Sequence, residues 1–431
     1  MKHTNKARFW LALAIFGLTG QVAWVVENMY FNVFLYQMFH ATAAQISTMV
    51  SASAVAATLT TVFIGALSDK VGRRKAFICG GYILWGLSIA AFALVRVDVL
   101  SALFPAATAA AVGITLTIIL DCVMTFFGSS ANDACFNAWL TDSTDRTNRG
   151  AAEGINAMMP LVAILVVFGG FMSFDLTLAS SWTTIFLLIG GTVILMGILG
   201  LFLIEDPAVK IAENNRYFAN IVYGFRPSVV GKNPTLYAVL LAFALFGISI
   251  QIFMPYLILY YQVSLQMDNY VLIMAPAIIL ASVATAFYGR LYDRVGFTKS
   301  IIPSLLLLFS GYGVLYFCRS VAPVFVGSLL MMTGYLSGMA VFGAMLRDHT
   351  PENKAGMFQG LRIVAQVLIP GVIGPMIGAT VLKNAKTVVN SDGTTSFIPN
   401  ASIFLAAAVA ALFVWGALAL IVRYKKGGDR P

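Results

Sequence analysis

The chain has 431 residues, of which 59% are hydrophobic and only 10% charged, far below the roughly 25% charged residues of soluble domains. That composition excludes a water-soluble globular fold. A net charge of +9 would suit a nucleic-acid binder, but the basic residues lie in short polar intervals between long apolar runs, so no nucleic-acid partner is expected.

The apolar runs fall at about 9–36, 43–67, 76–95, 104–140, 151–173, 182–204, 234–262, 268–290, 300–318, 322–346, 357–382 and 401–423. Each is long enough to cross a hydrocarbon core of about 30 Å at 1.5 Å per residue. They predict an all-α membrane protein of twelve transmembrane helices, helix 1 to helix 12. The first run has no small-residue cleavage site behind a short apolar core and reads as a retained span.

Helix 1 carries Glu27 about 18 residues into the span, with Trp24 one turn before it. A charged group inside a span costs several kcal/mol unless paired or wet, which makes each one a functional candidate. Glu27 is a candidate to take up and release a proton as water reaches it from alternate sides. The alternative is a glutamate permanently bonded to a neighbouring helix. Helix 2 ends in Gly65-Ala-Leu67-Ser-Asp69-Lys70-Val-Gly72-Arg73-Arg74-Lys75.

The stretch 97–143 is too long for one ordinary helix. Keeping Arg146 and Arg149 on the same side as the earlier basic loop favours one long helix 4, preceded by a semi-buried segment around Ser101 to Gly113. Helix 4 carries two acidic residues. Asp121 shares a stripe with Thr125, Gly128 and Asn132, while Asp133 and Asn137 lie roughly 120° away at 3.6 residues per turn. Asp121 is a second proton candidate, or else it faces the semi-buried segment. Asp133 is the substrate-binding candidate, since a carboxylate accepts hydrogen bonds from paired hydroxyls, with Trp24 and Asn137 beside it.

After helix 6 the polar stretch 205–233 reads as a linker, with Tyr217-Phe218 and Ile221-Val222 at the spacing of a short amphipathic helix on the membrane surface. Helix 7 supplies Tyr256 and Tyr260 as aromatic binding candidates. On helix 11, Arg362 is the one basic residue inside a span and can pair across a cavity or snorkel to the interface; Gln366 is a cavity-lining candidate. Cys79, Cys122, Cys135 and Cys318 stand singly without metal spacing and read as small buried hydrophobes. No metal or cofactor is expected.

Placing the N-terminus in the cytoplasm puts nearly every Lys and Arg on that side; only Arg96, Arg319, Lys383 and Lys386 fall outside, apart from Arg362 within a span. The positive-inside rule then sets both termini in the cytoplasm of a multi-pass protein of the cell inner membrane.

Two segments repeat. Gly289-Arg-Leu291-Tyr-Asp293-Arg294-Val-Gly296-Phe-Thr-Lys299, after helix 8, repeats the loop after helix 2 at an offset of 224. Ala344-Met-Leu346-Arg-Asp348-His-Thr350, at the end of helix 10, repeats Ala138-Trp-Leu140-Thr-Asp142-Ser-Thr144 at the end of helix 4 at an offset of 206. This spacing implies two pseudo-symmetric six-helix halves, residues 1–204 and 234–431, joined by the linker 205–233. Duplications of this kind place a small-molecule path near the bilayer midplane.

The repeated loop resembles the signature loop of the major facilitator superfamily, G-x-L-x-D-[KR]-x-G-R-[RK]-K, which this sequence fits in full. Asp133-Ala-Cys-Phe136-Asn-Ala138-Trp-Leu-Thr-Asp-Ser-Thr144 looks like the end of helix 4 in the glycoside-pentoside-hexuronide cation symporters, the melibiose permease group. Trp24-Val-Val-Glu27 is similar to the glutamate-bearing helix of the related sucrose transporters. The melibiose group carries acidic residues eight and four positions before the signature glycine; here those positions are Ala57 and Thr61. That departure turns the expected coupling ion from sodium to a proton.

The resemblance implies the major facilitator fold and proton-coupled uptake of a sugar or glycoside by a monomer in the lipid bilayer. The alternative is proton-coupled export of drugs or other small metabolites. It also implies a conformational latch, with Asp69 meeting the N-terminus of helix 11 near Gly356 and Arg73 pairing with Asp142. Gly65, Gly72, Gly289, Asp293, Arg294 and Asp348 complete the set, the second copy being weaker because Phe297 and Thr298 replace Arg73 and Arg74. No catalytic triad, metal spacing or phosphate loop suggests an enzyme.

Overall fold

The computed structural model describes residues 6–144, 148–206, 223–267, 269–350, 360–390 and 393–428. The chain divides into two compact units, Met1–Asn215 and Arg216–Pro431. The first holds α1 (Ala7–Phe39), α2 (Ala43–Val71), α3 (Arg74–Leu94), α4 (Thr108–Asp142), α5 (Ala151–Phe171) and α6 (Ala179–Leu203). The second holds α7 (Pro234–Ser264), α8 (270–295), α9 (297–317), α10 (Val321–His349), α11 (Gly360–Leu382) and α12 (Ser402–Tyr424). All twelve are long and apolar enough to cross a bilayer, and their outward faces carry large apolar side chains such as Leu59, Phe63, Leu188, Phe202 and Phe413. A helix apolar on every face belongs in lipid.

Local chemistry sets where the helices begin and end. His40 in the left-handed region (φ 52) stops α1, and Thr42 opens α2 with a capping box: Thr42 Oγ1 accepts from Gln45 N at 3.3 Å while Thr42 N donates to Gln45 Oε1 at 2.8 Å. Gly72 (φ 69) ends α2, its N–H bonding Ser68 O at 2.9 Å. Gly296 (φ 77) reverses the chain between α8 and α9 within a single residue. The two repeated loops therefore turn at the same motif glycine, because the left-handed conformation carries no Cβ penalty there.

The expected long helix 4 is present, continuous from Ala106 to Asp142. The semi-buried segment before it is not. Val97–Ser101 forms a short helix, residues 101–105 are exposed, and the chain is helical from Ala106 onward. Pro105 stands as the N-cap at φ −54, where its missing N–H costs nothing. A second departure is a small antiparallel hairpin between α11 and α12. Strand β1 (Thr387–Val389) pairs with β2 (Thr395–Phe397) in the register Thr387 to Phe397. The amphipathic helix expected in the linker lies outside the described residues.

Packing inside each unit relies on small residues. On α3 and α6, a Cβ on Gly86 would stand 2.5 Å from Gly190 O, and one on Gly190 would stand 2.6 Å from Gly86 O. Backbones that approach so closely gain dispersion contacts that lipid tails cannot replace. Arg8 ties the start of α1 to the end of α6, its Nε donating to Leu203 O at 3.0 Å and Nη1 pairing with Glu205.

Candidate functional site

The site in the first unit lies where α1, α2, α3 and α4 meet, and there α1 and α4 depart from the regular α-helix. Over Val26–Tyr30, α1 opens into a π-helical turn, and over Ser129–Phe136, α4 does the same. Such wide turns leave backbone groups misaligned and concentrate at functional positions. One carries Glu27 and the other Asp133.

Glu27 is 6% exposed. Its Oε1 accepts from Ser53 Oγ on α2 at 2.7 Å and from Thr125 Oγ1 on α4 at 2.8 Å, and the two hydroxyl oxygens stand 2.8 Å apart. Its other oxygen, Oε2, is buried without a partner. Asp121, one turn before Thr125 and 1% exposed, also has a partnerless buried oxygen, Oδ1. Ser53 thus bonds both the Glu27 carboxyl and the Thr125 hydroxyl, the latter one turn from Asp121. Among the described residues no basic side chain pairs with either carboxyl. The structure thus brings Glu27 and Asp121 into one cluster and turns Asp121 away from the loop before α4. Sequence reading missed Ser53. Its signal was a hydroxyl among the apolar residues of helix 2, and helix 2 carries several.

Asp133 is half-buried, and its Oδ2 accepts from Ser129 Oγ at 3.0 Å. The indole N–H of Trp24 donates to the neighbouring Asn132 Oδ1 at 3.4 Å. Asn132 in turn donates to Tyr82 OH at 2.7 Å, and Tyr82 donates to Phe16 O at 2.9 Å. Trp24 packs on Trp85, ring centroids 5.0 Å apart. Gly20 makes room for this chain; a Cβ there would stand 2.1 Å from Asn132 Nδ2. An extra residue in a wide turn takes up about 100° of rotation, one residue's share at 3.6 per turn. The angular separation of Asp121 and Asp133 expected on an ideal helix therefore shrinks. Asn137 is exposed, its amide donating to Asp133 O at 3.1 Å.

The remaining binding candidates belong to the second unit. Tyr256 and Tyr260 are enclosed, 0% and 1% exposed, with hydroxyls donating to Pro375 O at 3.4 Å and Leu315 O at 3.2 Å. Both serve packing of α7 against α11 and α9, and neither presents a face to a ligand in this conformation. Arg362 is exposed and donates from Nε to Gln366 Oε1 at 3.1 Å. Gln366 sits in another π-helical turn, Val364–Leu368, with its Nε2 buried and unpartnered.

At the repeated loops the expected pairing is corrected. Arg74, not Arg73, meets Asp142: Arg74 is 4% exposed, its Nε donates to Asp142 Oδ2 at 3.2 Å, its Nη1 to Ser68 Oγ at 2.5 Å, and its Nη2 pairs with Asp69. The reason is the turn. Gly72 reverses the chain and Arg74 is the first residue of α3, so its side chain lies back across the ends of α2 and α4 while Arg73 is left exposed. All these partners lie in one unit, so the cluster braces that unit and survives any rigid-body motion of it. The expected contact of Asp69 near Gly356 lies outside the described residues. A Cβ on Gly65 would stand 3.9 Å from Ala134 Cβ, an ordinary contact.

The second copy differs in kind. Asp293 and Arg294 are exposed, Gly289 lies within α8, and Asp348 accepts from Tyr292 OH. Tyr292 occupies the motif position of Ser68, and Thr298 that of Arg74. A longer side chain on α8 thus reaches α10 directly where the guanidinium is missing.

The sequence matches the family model of the Major Facilitator Superfamily over residues 9–375. No curated protein matches it significantly. Similar solved structures include a point mutant of the nucleoside transporter NupG, with TM-score 0.73 and 11% identity over 96% of this chain and 98% of that one. A bacterial homologue of the human lysosomal transporter Spinster gives 0.70 and 14% over 98% and 97%. The xylose transporter XylE from E. coli gives 0.68 and 14% over 96% and 99%. At such identities the likeness concerns the fold alone. Twelve apolar helices in two six-helix units, a twice-used signature loop and the match over most of the length lead to one conclusion: the chain is a multi-pass membrane protein that belongs to the Major Facilitator Superfamily.

Proposed function

We propose that the chain is a secondary active transporter that couples uptake of a sugar or glycoside to proton entry by alternating access. It acts as a monomer in the cell inner membrane, with both termini cytoplasmic. The observation that carries the reading is Glu27. It is a buried carboxyl held by two hydroxyls, with one oxygen unpartnered and no cation beside it among the described residues. A buried carboxyl without a counter-ion is cheaper neutral than charged, so water reaching it from one side and then the other loads and unloads a proton. Asp121 is the second proton-binding group. Asp133 with Trp24 forms the substrate side, the carboxylate accepting from paired hydroxyls and the indole face covering the apolar C–H surface of a sugar ring. The short likeness of α4 to the melibiose permease group supports that cargo class.

The test is uptake into proteoliposomes with and without an inward proton gradient. Melibiose and sucrose are the first probes, followed by xylose and a nucleoside, the cargoes named for similar folds. A transported sugar accumulates only with the gradient, and Glu27→Gln lowers uptake to the gradient-free rate while sparing exchange of labelled for unlabelled sugar. Uptake indifferent to the gradient, or a Glu27→Gln protein that still accumulates its substrate, refutes the coupling.

A further inference from the structure

We infer that Asn32 on α1 holds the proton of Asp121, the neutral Asp121 carboxyl donating its O–H to Asn32 Oδ1. The inference rests on the reading of Asp121 as the second proton-binding group, and two observations carry it. The first is a pair of orphaned oxygens. Asn32 and Asp121 are 0% and 1% exposed, and among the described residues neither Asn32 Oδ1 nor Asp121 Oδ1 has a hydrogen-bond partner. A buried acceptor without a donor is costly, most of all inside a span, where water does not stand in. The second is the register of α1 on α4. The two helices run antiparallel, with Gly20 against Asn132, Trp24 against Gly128, Glu27 against Thr125 and Phe39 against Gly113. Asn32 precedes Phe39 by two turns of the regular helix Phe31–Phe39 and so shares its face. Asp121 lies seven residues before Gly128 and four before Thr125 in the regular helix Ala106–Gly128, and so shares theirs. Counted from the Phe39–Gly113 contact, Asn32 lies about 10.5 Å along α1 and Asp121 about 12 Å along α4. The two orphans therefore stand at one level on facing sides, between that contact and the Glu27–Thr125 bond.

Which of the two supplies the hydrogen is decided by the rest of Asn32. Its Nδ2 donates at 3.0 Å to Asn28 O, a carbonyl of the π-helical turn, and this bond orients the amide. An inverted amide would set Oδ1 against Asn28 O, acceptor on acceptor. Asn32 thus offers Asp121 an acceptor, and only a protonated carboxyl brings the donor. When Asp121 loses its proton, two oxygens face each other with lone pairs alone, and attraction between α1 and α4 turns to repulsion. The proton on Asp121 thereby acts on the helix that carries Glu27. Within the spans packed against α4, the ionisable side chains are Glu27, Tyr30 and Tyr36 on α1 and Cys79 and Tyr82 on α3, with the paired Arg96 and Asp98 beyond it; α2 has none between Ala43 and Gly65. On α4 itself, Cys122 adjoins Asp121, and Asp133 bonds Ser129. Glu27, the carboxyl nearest Asn32 along α1, is already held by Ser53 and Thr125.

The test follows the protonated-carboxyl carbonyl band of Asp121 by infrared spectroscopy, on the full-length protein in lipid nanodiscs over a range of pH. The Asp121 band is the one lost in Asp121→Asn. Asn32→Leu keeps the size of the side chain and removes the acceptor. In it the band is expected to move to higher frequency, and its titration midpoint to fall by about one pH unit. That is a roughly tenfold weaker hold on the proton, the contribution of one hydrogen bond. Asn32→Thr separates this role from a structural one. A threonine hydroxyl reaches the carbonyl four residues back, so Asn28 O keeps its donor while the oxygen is turned from Asp121; the same band shift is expected, with the wild-type melting point. Wild-type frequency and midpoint in both variants overturn the inference and leave Asp121 a proton site. A shift in Asn32→Leu that is absent in Asn32→Thr also overturns it, since it traces to the lost Asn28 bond. If Asp121→Asn removes no band at any pH, the proton reading of Asp121 falls and the inference with it.

Discussion

Replacing Arg74 by alanine separates the brace observed in the first unit from the pairing expected of its neighbour Arg73. Arg74 is buried, but its acidic partners are not: the side chains of Asp69 and Asp142 are 52% and 30% exposed. Losing the guanidinium therefore leaves two carboxylates that water can still solvate, and the 3–5 kcal/mol typical of an orphaned buried charge does not apply. Each ion pair is then worth about 0.5–1 kcal/mol. Ser68 keeps a partner, since its hydroxyl donates to Gly65 O at 2.9 Å, so only the bond received from Arg74 is lost. Together with packing of the arginine stem across three helix ends, the loss comes to about 2 kcal/mol, roughly 30-fold in the folded-to-unfolded ratio. Thermal unfolding in mild detergent measures it. Arg74→Ala is expected to lower the midpoint by several degrees, Arg74→Lys by less, and Arg73→Ala not at all. An Arg73→Ala protein as unstable as Arg74→Ala, or an Arg74→Ala protein indistinguishable from wild type, refutes the account.

Three further outcomes follow from named contacts. Gly20→Ala drives a methyl onto Asn132 and Tyr82 and breaks their bond, at about 3 kcal/mol from overpacking and a lost buried partner together; an unchanged melting point would count against the tight α1–α4 contact. Tyr292→Phe removes the single bond to the exposed Asp348 and is expected to cost under about 1 kcal/mol, so a loss equal to that of Arg74→Ala would show that the two repeats are braced alike. Outside the spans, the Arg96 guanidinium bonds both oxygens of Asp98, at 3.0 and 2.7 Å, and holds its carboxyl below the usual aspartate range. A depressed carboxyl contributes stability above its unfolded pKa and loses it as pH falls through the folded one. Arg96→Gln should therefore lower the melting point slightly at neutral pH and not at all in strong acid, the effect being small because Asp98 is exposed.

By itself the sequence determined what depends on composition and spacing. Uninterrupted apolar length marks a membrane helix whatever its neighbours, so the twelve spans, the long fourth helix and the division into two repeated halves were legible. The motif glycines Gly72 and Gly296 announced the two reversals for the same reason: a left-handed turn is a local backbone requirement. Glu27, Asp121 and Asp133 stood out because charge in an apolar span is costly wherever it points. Four decisions belonged to the tertiary structure. The π-helical turns in α1 and α4 carry no residue signature, yet they shift the carboxyls from the faces an ideal period assigns. Ser53 gained its place only through the approach of α2 to α1 and α4. Enclosure of Tyr256 and Tyr260 came from packing within the second unit, which a count of aromatics cannot foresee. The choice of Arg74 over Arg73 turned on one residue of helical phase after Gly72, and phase is set when the new helix docks. Spacing along the chain settles which helices exist; which side chains meet depends on rotations of about 100° per residue, and those are decided by packing.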